Sequence, residues 1–134
     1  MWYKAKNKKW KWLIVDLDNA LTYKGKSNIE SNYFDLLNSS NTITARLFKV
    51  LIGNRKFNKK FKIRANSLME KTFSNENIEK EFHALKNDLN NNIELHLKRW
   101  RGKLTKETWE LNCQNNLDFL INRKAIFLKQ VNDL

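Results

Sequence analysis

Hydrophobic positions change their period along this chain. Residues 10–18 read Trp-Lys-Trp-Leu-Ile-Val-Asp-Leu-Asp, with Trp10, Trp12, Ile14 and Asp16 on one parity and Leu13, Val15 and Leu17 on the other. Aromatic and β-branched residues, apolar on both faces from Trp12 to Val15, predict a strand covered on both sides. Residues 1–6 supply a partner strand, with Asn7-Lys8-Lys9 as the turn of a hairpin. Residues 19–42 hold Asn, Ser, Lys and Gly around a small Tyr33-Phe34-Leu36-Leu37 cluster. They read as a long loop with at most one helical turn, and loops of that length inside a domain are usually functional or mobile.

From Thr42 the period becomes helical. Ile43, Leu47, Val50 and Leu51 form one apolar stripe, which Gly53 closes as the residue just past the helix end. Phe57, Phe61, Ala65, Leu68, Met69 and Phe73 form a second, at spacings of three and four. Ser74 caps a third helix carrying Ile78, Phe82, Leu85 and Leu89, and Asn90-Asn91-Asn92 offers a break. A further turn or two holds Ile93, His96, Leu97 and Trp100 and ends at Arg101-Gly102. Thr105 caps a helix with Trp109, Cys113, Leu117 and Leu120, and Asn122 a last one with Ile126, Phe127 and Val131. The expected fold is mainly α, a short N-terminal β-hairpin or strand followed by a bundle of about five helices. Residues 1–134 make a single domain or domain fragment, with the strand region and loop at 1–42 and the bundle at 43–134.

Composition narrows the function classes. With 134 residues, 41% hydrophobic and 12% aromatic, the chain has one domain's length and the apolar content of a real core. No apolar run approaches the roughly 18 residues that span a membrane. Trp2-Tyr3-Lys4-Ala5-Lys6 opens the chain without the apolar stretch of a secretory signal, so the default location is cytoplasmic. One cysteine, Cys113, excludes an internal disulfide framework, and His83 and His96 are too few for a His-rich metal site. Gly25, Gly53 and Gly102 stand alone, so no Gly-rich phosphate loop exists here, which argues against a self-contained nucleotide-dependent enzyme.

The formal net charge of +12 suggests a polyanion partner, but 20 of the 26 basic residues are lysine and 20 residues are asparagine. An AT-rich coding sequence produces that excess as readily as a binding surface does. Phosphate and base recognition favours arginine, which occurs only six times.

Three features carry candidate chemistry. Asp16 and Asp18 stand two apart at the exit of the hydrophobic strand, so their carboxylates share a face. Magnesium takes one or two such carboxylates together with substrate phosphates; two solvated aspartates ending a strand are the plainer reading. Arg46, Lys49, Arg55, Lys56, Lys59, Lys60, Lys62 and Arg64 form a basic run with no acid between Thr42 and Met69. It suits phosphates or an acidic partner, or is simply the solvated face of two amphipathic helices. His96, Trp100 and Trp109 suit a stacking pocket or, more commonly, a core with a hydrogen-bonded histidine. Cys113 falls on an apolar stripe and reads as an inert buried thiol.

Taken in order, these segments resemble the C-terminal part of the spore coat protein CotH kinase family. Lys9-Trp10-Lys11-Trp12-Leu13-Ile14-Val15-Asp16-Leu17-Asp18 resembles the family's basic-aromatic strand running into Asp-x-Asp. Leu47-Phe48-Lys49-Val50-Leu51 and Phe57-Asn58-Lys59-Lys60-Phe61 resemble its leucine-rich helix and the Phe-x-x-x-Phe helix after it. Phe73-Ser74 with Ile78 is similar to its Phe-Ser helix start, and His96-Leu97-Lys98-Arg99-Trp100 to its His-x-x-Arg-Trp. Trp109, Asn112, Phe119 and Arg123 fall at its Trp, Asn, Phe and Arg spacings, although Lys124 stands where the family usually has proline.

The resemblance implies the C-terminal-lobe-like part of a kinase-like fold, ATP- and magnesium-dependent transfer of a phosphoryl group to serine in proteins, and Asp16 as first metal ligand with Asp18 as second ligand or support. The family domain is longer, so it also implies that the nucleotide lid, the phosphate lysine and the catalytic base belong upstream. On that reading the chain alone is inactive and binds neither magnesium nor ATP tightly. It needs a missing N-terminal lobe or another copy, and a longer parent with its own signal allows an extracellular or spore-coat location. The alternative is a non-enzymatic basic helical module for nucleic acid or an acidic protein, and the plainest reading is a structural scaffold.

Overall fold

The computed structural model describes residues 2–4, 6, 10–12, 21, 28–100 and 104–134. Strands β1 (Trp2–Lys4) and β2 (Trp10–Trp12) pair antiparallel, with Trp2 opposite Trp12, Tyr3 opposite Lys11 and Lys4 opposite Trp10. The hairpin expected from the sequence is present at these positions, while the rest of the hydrophobic strand, residues 13–18, lies outside the described residues. Helices α1 (Tyr33–Ser39), α2 (Ile43–Gly53), α3 (Arg55–Glu70), α4 (Asn75–Arg99) and α5 (Lys106–Asn132) complete the element order. The protein is mainly helical, as the periodicity required. No described helix is long and apolar enough to cross a membrane.

All five helices begin at a capping side chain, and two of these, Ser74 and Thr105, are caps expected from the sequence. Thr42 accepts from Ala45 N–H, Ser74 from Asn77 N–H and Thr105 from Thr108 N–H, each satisfying a donor that the first turn leaves unpaired. Asn54 does more: its Oδ1 accepts from both Lys56 and Phe57 N–H at 3.1 Å while its own N–H bonds Leu51 O, so one residue ends α2 and starts α3. Gly53 is therefore the last helical residue of α2, not the left-handed residue after it, and its backbone is an ordinary one.

The structure corrects three boundaries. Residues 33–39, expected as loop with at most one turn, form the two-turn helix α1, capped by Asn32 through Phe34 N–H. Seven residues do not hold a helix by propensity; Phe34 does it by packing on Phe48, Phe61 and Phe127, with ring centroids 5.9–6.3 Å apart. Asn90-Asn91-Asn92 does not interrupt α4, and Asn122 does not start a new helix inside α5. An interior asparagine costs a helix only about half a kcal/mol against alanine. The buried Ile93 and Leu117, on two helices packed along each other, outweigh that.

Helix α2 is turned relative to expectation. Its predicted core row faces outward, with Ile43 75%, Val50 73% and Leu47 40% exposed, and only Leu51 is half-buried. The packed side carries the fully buried Ala45 and the half-buried Phe48 and Ile52. This helix is apolar around most of its circumference, so periodicity alone does not choose its inner face. Phe48 chooses it, stacking on Phe34 and meeting Phe61 edge-on at 6.1 Å. The core is thus an aromatic cluster held between α1, α2, α3 and α5, with Ala65 and Val131 beneath it and Ile93 and Leu117 continuing between α4 and α5.

The end of α5 is tied to α3 by amides and an ammonium. Lys62 Nζ donates to Asn132 O at 2.8 Å, Asn58 Nδ2 to Leu134 O at 3.1 Å, and Asn66 Nδ2 to Asn132 Oδ1 at 3.4 Å. The first two satisfy backbone carbonyls that a helix C-terminus leaves without partners, and Lys62 places a cation where the helix dipole favours one.

Candidate functional site

The aspartates on which the metal expectation rests, Asp16 and Asp18, lie outside the described residues. Among the described residues no three His, Cys, Asp or Glu side chains come together as a metal site.

The described residues build instead a clamp on the segment that leads into α1. Asn28 folds the segment into a turn: its Oδ1 accepts from Glu30 N–H at 3.0 Å, and its carbonyl from Ser31 N–H at 3.0 Å. Arg123, on α5, then donates to Ile29 O and, at 2.7 Å, to Ser31 O. It also donates to Gln130 Oε1 at 2.9 Å, and Gln130 Nε2 reaches Ser31 O at 3.3 Å. The guanidinium lies 5.8 Å from the Tyr33 ring centroid. A planar fork with five donors suits this double carbonyl grip, which a lysine point charge does not reproduce. The sequence identifies Arg123 only through its spacing from Trp109, Asn112 and Phe119; its carbonyl partners lie more than ninety positions away and leave no local signal.

The basic run divides by role. Lys49 Nζ donates to Ser40 O at 3.1 Å and Lys62 to Asn132 O, so two of its eight cations serve the fold. Arg46, Arg55, Lys56, Lys59, Lys60 and Arg64 are exposed or nearly so. Among the described residues the ion pair is Lys86 with Glu110, across α4 and α5, and none of the run meets a carboxylate.

The His96, Trp100 and Trp109 set is only partly assembled. His96 and Trp109 line one open depression of about 340 Å³ with Leu89, Asn92, Ile93 and Leu104. Trp100 is 63% exposed beside the Arg99 guanidinium, 5.4 Å from its ring centroid, and does not line it. His96 is itself exposed at the end of α4, where Lys98 and Arg99 share the last turn. Lys86 sits 5.8 Å over the Trp109 ring, and its bond to Glu110 raises its pKa. Cys113 is half-buried, and burial pushes its thiol above the ordinary range, while the nearby Lys86 opposes this; the arrangement suppresses thiolate and suits a packing role.

The family model described as CotH kinase protein matches residues 1–127, which takes in the hairpin, the Asp16–Asp18 segment and all of the chain through Phe127. Neither the curated proteins nor the solved structures give a match. A match over nearly the whole chain decides the family: this protein belongs to the CotH kinase family.

Proposed function

We propose that this chain is the C-terminal, helical part of a CotH-type protein kinase, which in the complete protein transfers the γ-phosphoryl group of ATP to serine hydroxyls of a protein substrate. The family match over residues 1–127 carries this reading. Asp16 is the first magnesium ligand and Asp18 its second ligand or support. Bound magnesium would neutralise charge on the phosphates during transfer. The described helices contribute a platform: Arg123 and Gln130 fix residues 29–31, and Phe34 anchors α1 to the aromatic core. Fixing the chain at residues 29–31 supports positioning, on which phosphoryl transfer depends more than on any covalent step.

The same reading holds that these 134 residues by themselves do not carry the reaction, because they contain no Gly-rich loop for the phosphates. Calorimetric titration of the chain with magnesium and ATP tests this. The expected result is no saturable binding at micromolar ATP; micromolar affinity overturns it.

A further inference from the structure

The junction of α2 and α3 opens into a cleft of about 510 Å³, lined by Ile52, Gly53, Arg55, Asn58, Lys59, Lys62 and Ile63. Arg55, Lys59 and Lys62 succeed one another at helical spacings of four and three, so like charges stand along one side of α3. Each such pair costs a helix a few tenths of a kcal/mol. The sequence offers no acid from Thr42 to Met69 to offset it, and Arg55 and Lys59 are exposed without a carboxylate partner among the described residues. Beside these cations lies apolar surface, with Ile63 60% exposed and Ile52 half-buried. The cavity bordered by Met69, Phe73, Ile78, Leu120 and Phe127 also has two cations, but Arg123 is engaged by backbone carbonyls and Lys124 is half-buried, whereas Arg55 and Lys59 are exposed beside their apolar floor.

We infer that this cleft is a docking site for an acidic protein segment, one that seats a Leu, Ile or Phe side chain against Ile52 and Ile63 and places Asp or Glu against Arg55 and Lys59. Charge complementarity selects the occupant. A second copy of this chain brings the same net +12 and is repelled. A nucleic acid strand satisfies the cations but brings no aliphatic group to the isoleucines, and two of the three cations here are lysine, which lacks the planar fork that reads bases. An acidic peptide with an apolar anchor matches both. This site is independent of the phosphoryl-transfer reading, since it uses none of the residues placed near the metal.

Fluorescence anisotropy on the full chain tests it with three labelled probes of equal charge: a peptide alternating glutamate with leucine and phenylalanine, a polyglutamate peptide, and a single-stranded oligonucleotide. The mixed peptide is expected to bind at least about tenfold more tightly than the other two. Arg55→Glu with Lys59→Glu lowers its affinity at least about tenfold, and Ile63→Ser about threefold or more, whereas Lys80→Glu on α4 changes it less than about twofold. Circular dichroism and melting of each variant establish that the fold is kept, as expected for side chains on the surface of their helices. Equal binding of polyglutamate, tighter binding of the oligonucleotide, no binding, or indifference to Ile63→Ser each overturns the assignment.

Discussion

Arg123 is the residue whose role is least legible in the chain and most defined in the fold. Its hydrogen bonds to Ile29 O and Ser31 O hold one end of the segment between the strand region and α1, and its fork also orders Gln130. Bonds from a charged donor contribute about 1.5–3 kcal/mol each in mutational series, with losses that do not add. Arg123→Ala is therefore expected to destabilise the chain by about 2–3 kcal/mol in urea unfolding. It should also speed hydrogen exchange over residues 29–34, and Arg123→Lys should recover less than half of the loss. Cys113 makes a different prediction. Burial holds its pKa above the ordinary 9.0, so the folded state keeps this proton to higher pH than the unfolded chain does. Its contribution to stability is therefore undiminished below the ordinary thiol value and falls as pH rises past it. Comparing urea midpoints near about pH 7 and about pH 10, the wild type should lose more than Cys113→Ala. Alkylation of Cys113 should also be slower than that of a free thiol.

Among the elements, caps and stripes were the legible part. Thr42, Ser74 and Thr105 start helices where their side chains precede apolar periodicity, and the α3 stripe from Phe57 through Met69 faces inward as its spacing requires. Helix α1 and the inner face of α2 were not legible, because contacts distant in sequence decide both. The asparagine runs misled for a related reason: their weak helix penalty is visible locally, while the packing of α4 on α5 is not. Two substitutions in α2 check its orientation. Phe48→Ala should cost about 2–4 kcal/mol, and Val50→Ala, 73% exposed, no more than about 0.5 kcal/mol. Reversed magnitudes would mean that the sequence stripe is the buried one after all. Gly53→Ala should stabilise the chain by about 0.4–1 kcal/mol in thermal unfolding, since its backbone is not left-handed and a methyl there meets nothing within 4 Å.

At the scale of the whole molecule, charge and apolar surface are both unevenly spread. The cations from Arg46 to Arg64 gather on α2 and α3, while Glu76, Glu79, Glu81, Asp88 and Glu94 interleave with bases on α4. Ile43, Leu47 and Val50 leave an apolar row on α2, and Leu85 and Leu89 a second on α4, so much of the periodic hydrophobicity in the sequence is not spent on the core of these residues. The family and the mainly helical plan were legible because they rest on ordered motifs and periodicity. The proposed chemistry rests in the sequence on Asp16-Leu17-Asp18, and these residues lie outside the described ones. The most direct test is transfer of radiolabelled γ-phosphate from ATP to casein, or to the protein itself, by the whole natural protein that contains these residues. Asp16→Asn should lower the rate at least about 100-fold, because loss of even a supporting partner at a metal site costs about 10–100-fold, while circular dichroism and melting stay unchanged. Undiminished transfer by a well-folded Asp16→Asn protein would contradict the proposal that Asp16 holds the metal.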